Sequence, residues 1–209
     1  MKITPLIYGR SELSEAMIFQ GGSKDRSLPI DFIVYMIETE KRKILVDAGC
    51  VTMPGFKMQD FCGPIKALQA YGVEPTDITD LSITHAHHDH IECANAYPNA
   101  TVFIQSDEYE KARKRNYISE RATVRSFSDH VEICKGVEMR RIGGHSKGSC
   151  VVHICDAERE YVIVGDECYK RACIERGIPT GSSCCVAKSE AFIQTYSDPK
   201  YTLLYSHDA

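Results

Sequence analysis

One ten-residue segment, LSITHAHHDH at positions 81–90, constrains this chain more than any other part of it. An apolar run that begins at Leu81 ends there in a group of histidines and one aspartate. Side chains on an extended segment alternate between its two sides, so His85 and His87 project the same way. Asp89 and His90 follow where the chain must turn, and they approach the same point from a second direction. The fold must therefore bring a strand end to a place where these four side chains meet.

Imidazole nitrogen combined with carboxylate oxygen suits a transition metal, with zinc the first choice and iron or manganese the alternatives. A run of histidines can also be a purification tag or an accident of the surface. A tag would stand at a terminus in a polar context, whereas this run follows a strand-like segment in the middle of the chain. The segment therefore predicts a metal site.

The pattern His-x-His-x-Asp-His after an apolar strand resembles the signature of the metallo-β-lactamase superfamily. Four further residues match the rest of that pattern in the right order, each just after an apolar run: Asp47, His145, Asp166 and His207. The resemblance covers essentially the whole chain. It implies an α/β fold of the αββα four-layer sandwich type, formed as one domain over residues 1–209, with the metal site at one edge where strand ends converge.

The resemblance also implies a ligand set for two metal ions. One ion is held by His85, His87 and His145, the other by Asp89, His90 and His207, and Asp166 bridges both. A hydroxide shared by the two ions is then the nucleophile, because metal-bound water loses its proton near neutral pH. Asp47 is not needed as a ligand, and we expect it to accept the spare N–H of a ligand histidine. His88 points away from the ligands on the alternation argument.

Composition agrees with one soluble domain. The chain carries 25 basic and 29 acidic residues in 209, a net charge of −4, which indicates neither a nucleic-acid partner nor an anionic membrane. The apolar run Phe32 to Ile37 is far too short to span a bilayer, and Pro5, Gly9 and Arg10 interrupt any signal peptide. The ten cysteines include no Cys-x-x-Cys pair and suit a reducing compartment, so we expect a cytoplasmic protein. The oligomeric state is not predicted.

Hydrophobic patterning predicts alternating strands and helices. The helix after Gln105 carries acidic residues first and basic residues last, which we interpret as a solvated face capped by Ser106. The irregular segment 170–185 follows a predicted ligand strand and is expected to cover the substrate. The predicted strands are Lys2 to Ile7, Ile30 to Thr39, Lys43 to Asp47, Ile78 to Thr84, Thr101 to Gln105, Val137 to Ile142, Cys150 to Cys155, Tyr161 to Gly165 and Tyr201 to Ser206, with residues 9–29 as a loop and helices from Pro64, Ser106 and Val186.

Within the superfamily, the chain is most similar to the N-acyl-homoserine lactonase group. β-Lactamases of this fold commonly carry cysteine where this chain has Asp166, which argues against that activity. Tyr169 matches the active-site tyrosine of the lactonases. Two departures stand beside these matches: Ile91, Glu92 and Cys93 replace the glycines that follow the metal motif in lactonases, and the segment between Asp47 and the motif is short.

The leading hypothesis is a dinuclear metal-dependent hydrolase that opens a lactone or a similar small ester. In that hypothesis Tyr169 donates a hydrogen bond to the developing oxyanion, and Asp89 or Asp166 carries the proton. A thioester or phosphoester hydrolase on the same centre is the first alternative. A non-hydrolytic diiron or other metal-binding protein is the second; diiron relatives typically have a glutamate ligand and a fused flavin domain, neither of which is found in this sequence.

Overall fold

The computed structural model describes residues 1–157 and 159–209. The strands are β1 (Lys2–Ser14), β2 (Ser27–Glu38), β3 (Lys43–Val46), β4 (Asp80–Ile83), β5 (Thr101–Gln105), β6 (Thr123–Phe127), β7 (His130–Cys134), β8 (Val137–Arg141), β9 (Cys150–Asp156), β10 (Arg159–Ile163) and β11 (Tyr201–Leu204). The α-helices are α1 (Glu15–Ile18), α2 (Pro64–Ala70), α3 (His88–Ile91), α4 (Ser106–Lys114), α5 (Arg171–Arg176) and α6 (Val186–Tyr196). Short 3₁₀ turns cover Pro75–Asp77, Glu92–Ala96 and Gly165–Glu167.

The strands form two sheets. The first has the order β1-β2-β3-β4-β5-β6, and the second has the order β11-β10-β9-β8-β7. In the first sheet β1, β2 and β3 pair antiparallel, whereas β3 to β6 run parallel. In the second sheet the pairs are antiparallel except β10 with β11, which run parallel. Loops at the carboxyl ends of the parallel strands therefore meet at one edge, which is where α/β folds commonly place their sites.

Alternation along the strands separates the layers. On β2, Ile33 and Tyr35 pack into a core shared with residues of the second sheet such as Met139 and Val152. The intervening residues of β2, such as Phe32 and Val34, face the opposite side of the first sheet. They belong to a second apolar cluster, in which residues of α2 and α4 pack against the first sheet and residues of α5 and α6 pack against the second. Helix, sheet, sheet and helix are thus stacked, and the predicted αββα sandwich is confirmed.

Three regions differ from the sequence prediction. β1 continues to Ser14, because Leu6 and Leu13 bury their side chains and the strand pairs with β2 along its length, with a register shift between Ile7 and Gly9. Gly9 signals a break in the sequence, but here it allows close packing: a Cβ atom there would lie 2.6 Å from the Phe61 ring. Strands β6 and β7 were missed because exposed polar residues alternate with few apolar ones.

The other predicted elements are found with small shifts of their ends. The helix predicted from Pro64 is α2, and the helix predicted from Val186 is α6. The cap of α4 is not Ser106: the Gln105 side chain accepts the Asp107 N–H at 2.6 Å, and Ser106 Oγ donates instead to the Phe127 carbonyl. Within the described residues, no helix is long and apolar enough to cross a bilayer.

Candidate metal centre

Three strand ends, one loop and a short helix bring the site residues together. His85 follows β4, Asp166 follows β10 and His207 follows β11, while His145 lies in the loop that joins β8 to β9. The α3 helix starts at His88 and carries Asp89 and His90 back toward the same place. All seven predicted side chains therefore converge at the edge of the two sheets, as the strand-end positions in the sequence indicated.

The side chains form two groups. One consists of His85, His87, His145 and Asp166, and the other of Asp89, His90 and His207; within each group the candidate ligand atoms lie within 4.8 Å of one another. In the first group His87 Nδ1 lies 2.9 Å from His85 Nε2 and 2.8 Å from His145 Nε2. Three ring nitrogens of different histidines thus point at one small volume.

Asp166 lies between the groups and uses one carboxylate oxygen for each. Its Oδ2 is 3.6 Å from His85 Nε2 and 3.4 Å from His145 Nε2. Its Oδ1 is 3.1 Å from both His90 Nε2 and His207 Nε2. The side chain is 3% exposed, so water does not solvate these contacts freely.

The second group contains atoms that need a cation. His90 Nδ1 lies 2.7 Å from Asp47 Oδ2, and His207 Nδ1 lies 2.8 Å from the Asp31 carbonyl oxygen, so each Nδ1–H donates to an acceptor. In the neutral imidazole, Nε2 then presents a lone pair to Asp166 Oδ1. These two Nε2 atoms and Asp166 Oδ1 are buried, and no described residue gives them a hydrogen bond of acceptable geometry. Buried lone pairs that face one another are costly unless a proton or a metal ion joins them, so the residues present suit a metal.

The protonation tendencies of the two groups differ. Burial and the positive charge of His90 lower the pKa of His85 well below its ordinary value, and burial lowers the pKa of His145 to about 4. Burial also lowers the pKa of His90, but the Asp166 and Asp89 carboxylates outweigh it and the pKa is raised. Burial opposes ionisation of Asp166, yet His90 and His207 hold its pKa well below the usual value. The first group therefore offers neutral imidazoles, and the second favours positive charge.

Asp47 supports the second group as expected. Besides its contact with His90, it accepts the Thr84 N–H at 2.8 Å and the Thr84 hydroxyl, so it ties the end of β3 to the end of β4. Its backbone is left-handed, with φ of 61°, a conformation that non-glycine residues rarely adopt. The strained backbone directs this carboxylate at a histidine, as strained residues at functional sites often do.

A cavity of about 260 Å³ opens beside both groups. Its apolar wall comes from the end of the first hairpin, from α1 and from the loop after β3, and its floor contains Asp89, Asp166, Tyr169 and His207; the apolar residues are Leu13, Met17, Ile30, Phe32, Met53 and Phe56. Residues 170–185 were expected to cover the substrate, but the cavity wall does not include them. They pack against α1 instead: Thr180 Oγ1 and the Ser182 N–H both donate to the Met17 carbonyl.

Tyr169 lies in the floor of this cavity. Its ring stacks on His207, with centroids 5.1 Å apart and planes 26° apart. Ser182 Oγ donates to the Tyr169 hydroxyl at 3.3 Å, which leaves the phenol proton available to another acceptor. Burial and the neighbouring Asp166 charge raise the pKa of Tyr169 well above its ordinary value, so the phenol keeps its proton. A larger, open depression of about 870 Å³ is lined by other residues, including Lys2, Arg42 and Lys135, and contains none of the seven site residues.

Comparison with known proteins agrees with this geometry. Residues 34–191 match the metallo-beta-lactamase superfamily, a range that includes six of the seven site residues and ends before His207. The chain belongs to the metallo-β-lactamase superfamily. The N-acyl homoserine lactonase AiiA of Bacillus thuringiensis subsp. kurstaki is 27% identical over 161 residues, which are 67% of this chain and 64% of that protein. The match thus spans slightly less than two thirds of that relative's length.

Solved structures of the superfamily show the same fold. A probable metal-dependent hydrolase from Staphylococcus aureus superimposes with a TM-score of 0.86 at 22% identity, covering 99% of this chain and 89% of that one. An N-acyl homoserine lactone hydrolase with N-hexanoyl-L-homoserine at its metal centre superimposes with a TM-score of 0.84 at 20% identity, covering 99% and 93%. These structures show the fold, and the sequence match to N-acyl homoserine lactonases supports the predicted resemblance to the lactonase-like group.

Two buried glutamates of this superfamily member were not predicted. Glu108, interpreted from the sequence as part of a solvated face, is 0% exposed and accepts the Ala86 N–H at 3.0 Å, the Ser146 hydroxyl at 2.8 Å and the Gly148 N–H at 2.9 Å. It thus joins the loop between His85 and His87 to the loop that carries His145. The available sequence signal was its position four residues before buried Ala112, which places both on one helix face.

Glu167 has a similar role on the other side. Its carboxylate accepts the Gly144 N–H at 3.1 Å and the His145 N–H at 3.2 Å, and it also accepts the Ser149 hydroxyl. Burial raises its pKa to about 7 despite these bonds. Because Glu167 directly follows Asp166, it fixes the His145 loop to the end of β10. Its position beside a predicted ligand was the signal available in the sequence.

The remaining singled-out residues lie outside the two ligand groups. His88 is half-buried and lines the cavity, but its ring contacts Thr52, Glu92 and Tyr117 and belongs to neither ligand group. His130 is on an exposed strand position, and His153 is buried in the second sheet. The ten cysteines are free thiols, and the two singled out for their sequence positions near proposed ligands, Cys93 and Cys168, are buried and belong to neither group.

Proposed function

We propose that this protein is a metal-dependent hydrolase that holds two divalent ions and opens a lactone or a similar small ester. One observation carries the proposal: the two oxygens of buried Asp166 face different histidine groups, at 3.1 Å on one side and 3.4 to 3.6 Å on the other. A carboxylate in this position can bridge two ions and offset part of their mutual repulsion. The site draws on both sheets, and we treat residues 1–209 as one domain.

The proposed ligands are those predicted from the sequence. His85, His87 and His145 hold one ion, Asp89, His90 and His207 hold the other, and Asp166 serves both. This donor set of imidazole nitrogen and carboxylate oxygen favours zinc, with iron or manganese as alternatives. Asp47 fixes the tautomer of His90 through its 2.7 Å contact with Nδ1.

The chemistry that a bound metal pair supplies is a nucleophile formed from water near neutral pH and polarisation of the ester carbonyl. The protein contributes the Tyr169 phenol, which is protonated and forms part of the cavity floor. It donates a hydrogen bond to the carbonyl oxygen as negative charge develops there, a contact that strengthens in the transition state. Ser182 holds the phenol oxygen from the other side.

Asp89 is the better candidate to carry the proton to the leaving alkoxide. Its side chain is 13% exposed and lines the cavity, whereas that of Asp166 is 3% exposed and has both oxygens directed at the histidines. A proton carrier must reach the departing oxygen of the substrate. The accessible carboxylate meets that requirement.

The cavity favours a neutral, partly apolar small molecule. Its described lining has six apolar side chains and no Lys or Arg, so it offers no side-chain cation, beyond the proposed metal ions, to pair with a phosphoester dianion. The curated relatives are named for N-acyl homoserine lactones, which combine a lactone ring with an acyl chain. We therefore expect a small lactone or ester as the substrate. The net charge and the free cysteines underlie our separate expectation of a cytoplasmic protein that binds neither nucleic acid nor a membrane surface.

Three measurements test the proposal. Elemental analysis after loading and gel filtration should find about two metal ions per chain, and one ion or fewer would exclude the dinuclear centre. The loaded protein is then assayed on lactones, thioesters, phosphoesters and β-lactams, and lactones should be turned over fastest. A preference for thioesters or phosphoesters would move the function to the alternative substrate. An absorption spectrum of the fresh protein completes the test, since zinc is colourless and an oxo-bridged diiron centre is not.

A further inference from the structure

The loop after β3 is tied to the metal motif by two side chains. Glu92 Oε2 accepts the N–H groups of Val51 at 2.8 Å and Thr52 at 3.1 Å, and Glu92 Oε1 accepts the Thr52 hydroxyl at 3.0 Å. His88 Nε2 lies 2.9 Å from the Thr52 carbonyl oxygen, while the Tyr117 hydroxyl lies 3.0 Å from His88 Nδ1. His88 is therefore assigned as the Nε2–H tautomer. The N–H, the carbonyl and the hydroxyl of Thr52 are thus all hydrogen-bonded to His88 or Glu92, which stand at the two ends of α3.

The same loop forms one wall of the cavity. Met53 and Phe56 line it, and they are the two ends of a turn in which the Phe56 N–H donates to the Met53 carbonyl at 3.2 Å. Pro54 and Gly55 occupy the middle of this turn, and Gly55 has a φ of 87°, as in a type II turn. Once Thr52 is fixed, the turn leaves little freedom to the wall.

Two further contacts fix the far side of the loop. The Phe56 ring packs edge-on against Phe32, with centroids 6.4 Å apart, and Phe32 packs in the same way against His207 at 5.4 Å. Arg10 and Gln59 exchange backbone hydrogen bonds of 2.7 and 2.8 Å, which join the end of the loop to β1. The start of the loop is held differently. Among the described residues, the N–H groups of Val51 and Thr52 donate to no backbone carbonyl and depend on Glu92 alone.

We propose that Glu92 is a positioning residue that determines substrate size: by holding Val51 and Thr52 it keeps Met53 and Phe56 as a fixed wall beside the metal centre. Glu92 stands where the lactonase pattern has glycines, so the restraint belongs to this chain and not to the resemblance. The cavity of about 260 Å³ is smaller than the roughly 300–1,000 Å³ of common ligand sites, so a fixed wall favours esters with a short apolar group. The proposal rests on the proposed ester hydrolysis.

The test compares Glu92→Ala, which removes the restraint, with Glu92→Gln. In one orientation of its amide, Gln accepts both N–H groups with its oxygen and donates to the Thr52 hydroxyl, so it should behave as the parent. Glu120→Ala removes an exposed carboxylate from the loop after α4 and serves as the matched control. All four proteins are metal-loaded, and their metal content should be equal because no proposed ligand is changed.

The first readout does not depend on activity. Amide hydrogen exchange of Val51 and Thr52 should accelerate at least about tenfold in Glu92→Ala and stay at the parental rate in Glu92→Gln and Glu120→Ala. The second readout is the ratio of kcat/KM for dodecanoyl over hexanoyl esters of one alcohol. That ratio should rise at least about tenfold in Glu92→Ala only, as expected when a pocket wall yields to a longer chain.

Unchanged amide exchange in Glu92→Ala would show that Glu92 does not hold the loop. Faster exchange with an unchanged ratio of kcat/KM would show that the wall does not select for chain length. Either result overturns the proposal.

If the parent hydrolyses no ester, the proposed function fails, and the selectivity is judged by calorimetric binding of hexanoate and dodecanoate. A tenfold gain for dodecanoate in Glu92→Ala then supports the proposal, and equal gains overturn it. If Glu92→Ala does not fold, Thr52→Val removes only the hydroxyl contact and should give smaller changes in the same directions; no change would count against the proposal.

Discussion

Two sets of buried histidines in this protein differ in how their ring nitrogens are satisfied. His153 in β9 is 2% exposed, and its Nε2 lies 2.7 Å from the Tyr196 hydroxyl. His90 and His207 are equally buried, but their Nε2 atoms have no hydrogen-bond partner of acceptable geometry among the described residues. Burial alone therefore does not distinguish a structural histidine from a functional one.

The difference shows what to look for in a buried polar cluster. A satisfied histidine stabilises its surroundings, whereas unpaired lone pairs cost free energy that a ligand must offset. Around the metal centre the second ring nitrogens are satisfied, by Asp47 and by the Asp31 carbonyl, and only the inward nitrogens are left. Two buried histidines that are satisfied on their outer nitrogens and unpaired on the nitrogens facing one point are arranged to bind something at that point.

The comparison predicts its largest effect at Asp166. In Asp166→Ala the bridge between the two groups is lost, so turnover of the best ester should fall by more than about a thousandfold, beyond the cost of one lost hydrogen-bond donor. Metal content should fall from about two ions to one. The metal-free variant should still fold, because the two sheets pack without this side chain, but its melting temperature should fall, since His90 and His207 lose their buried carboxylate partner.

Steady-state kinetics, elemental analysis and calorimetric melting check this prediction. Near-parental turnover with full metal loading would show that Asp166 is not the bridge. Loss of folding in the metal-free variant would show that Asp166, like His153, has a structural role.

The next effect is expected at Tyr169. Tyr169→Phe keeps the ring that stacks on His207 and removes only the phenol proton donor, so kcat for lactones should fall about a hundredfold while metal content and melting temperature stay the same. Ser182→Ala is the companion variant, because it removes the group that holds the phenol and should cost less. Equal lactone turnover in Tyr169→Phe and the parent would mean that the tyrosine is only packed.

A smaller effect is expected at Glu108, which touches neither group of ligand atoms but joins their loops. In Glu108→Gln the amide N–H faces either the Ala86 N–H or the Gly148 N–H, depending on its orientation, so one of the two ligand loops should shift. Affinity for the metal ion proposed at His85, His87 and His145 should fall about tenfold to a hundredfold, as it does when other groups that orient ligands are changed. Competition with a chelator measures it, and the d–d spectrum of the cobalt-loaded protein should change. An unchanged affinity and spectrum would show that the loops keep their positions without this carboxylate.

Much of this site could be predicted from the sequence because each ligand follows an apolar run. Strand ends in a sandwich converge, so His85, Asp166 and His207 had to approach one another once the strands were recognised. Glu108 and Glu167 could not be recognised in the same way, since their burial depends on loops far away in sequence, around Ala86 and Gly144. The charge pattern of α4 suits a solvated face equally well.

The cavity wall shows the same limit. Met53 and Phe56 lie in a loop without periodicity, and their place depends on hydrogen bonds that Thr52 donates to Glu92, 40 residues away in sequence. The segment 170–185 appeared suited to cover a substrate because it is irregular and follows a ligand strand, but it contains α5 and packs on α1. Irregularity indicates a loop, and only tertiary contacts decide which loop meets the substrate.

The smallest effect concerns His153 and tests the other half of the comparison. Burial, with help from Arg140, lowers the pKa of His153 from 6.5 to about 4. Between these two pH values the unfolded chain binds up to one more proton at this residue than the folded chain. Stability contributed by neutral His153 is therefore complete above about pH 6.5 and is lost as the pH falls toward 4, with a slope of at most about 1.4 kcal/mol per pH unit.

His153→Gln keeps a polar partner for Tyr196 and cannot titrate, so its free energy of unfolding should fall less steeply with acid than that of the parent. Urea unfolding of both metal-free proteins at a series of pH values from 7 down to about 4 measures the difference in slope. The histidines of the metal centre titrate equally in both proteins and cancel. Ester turnover and metal content at neutral pH should be those of the parent, because His153 lies in the second sheet away from the two ligand groups. Equal acid slopes would mean that the pKa of His153 is not depressed, and lost turnover would mean that a satisfied, buried histidine is no guide to a structural role.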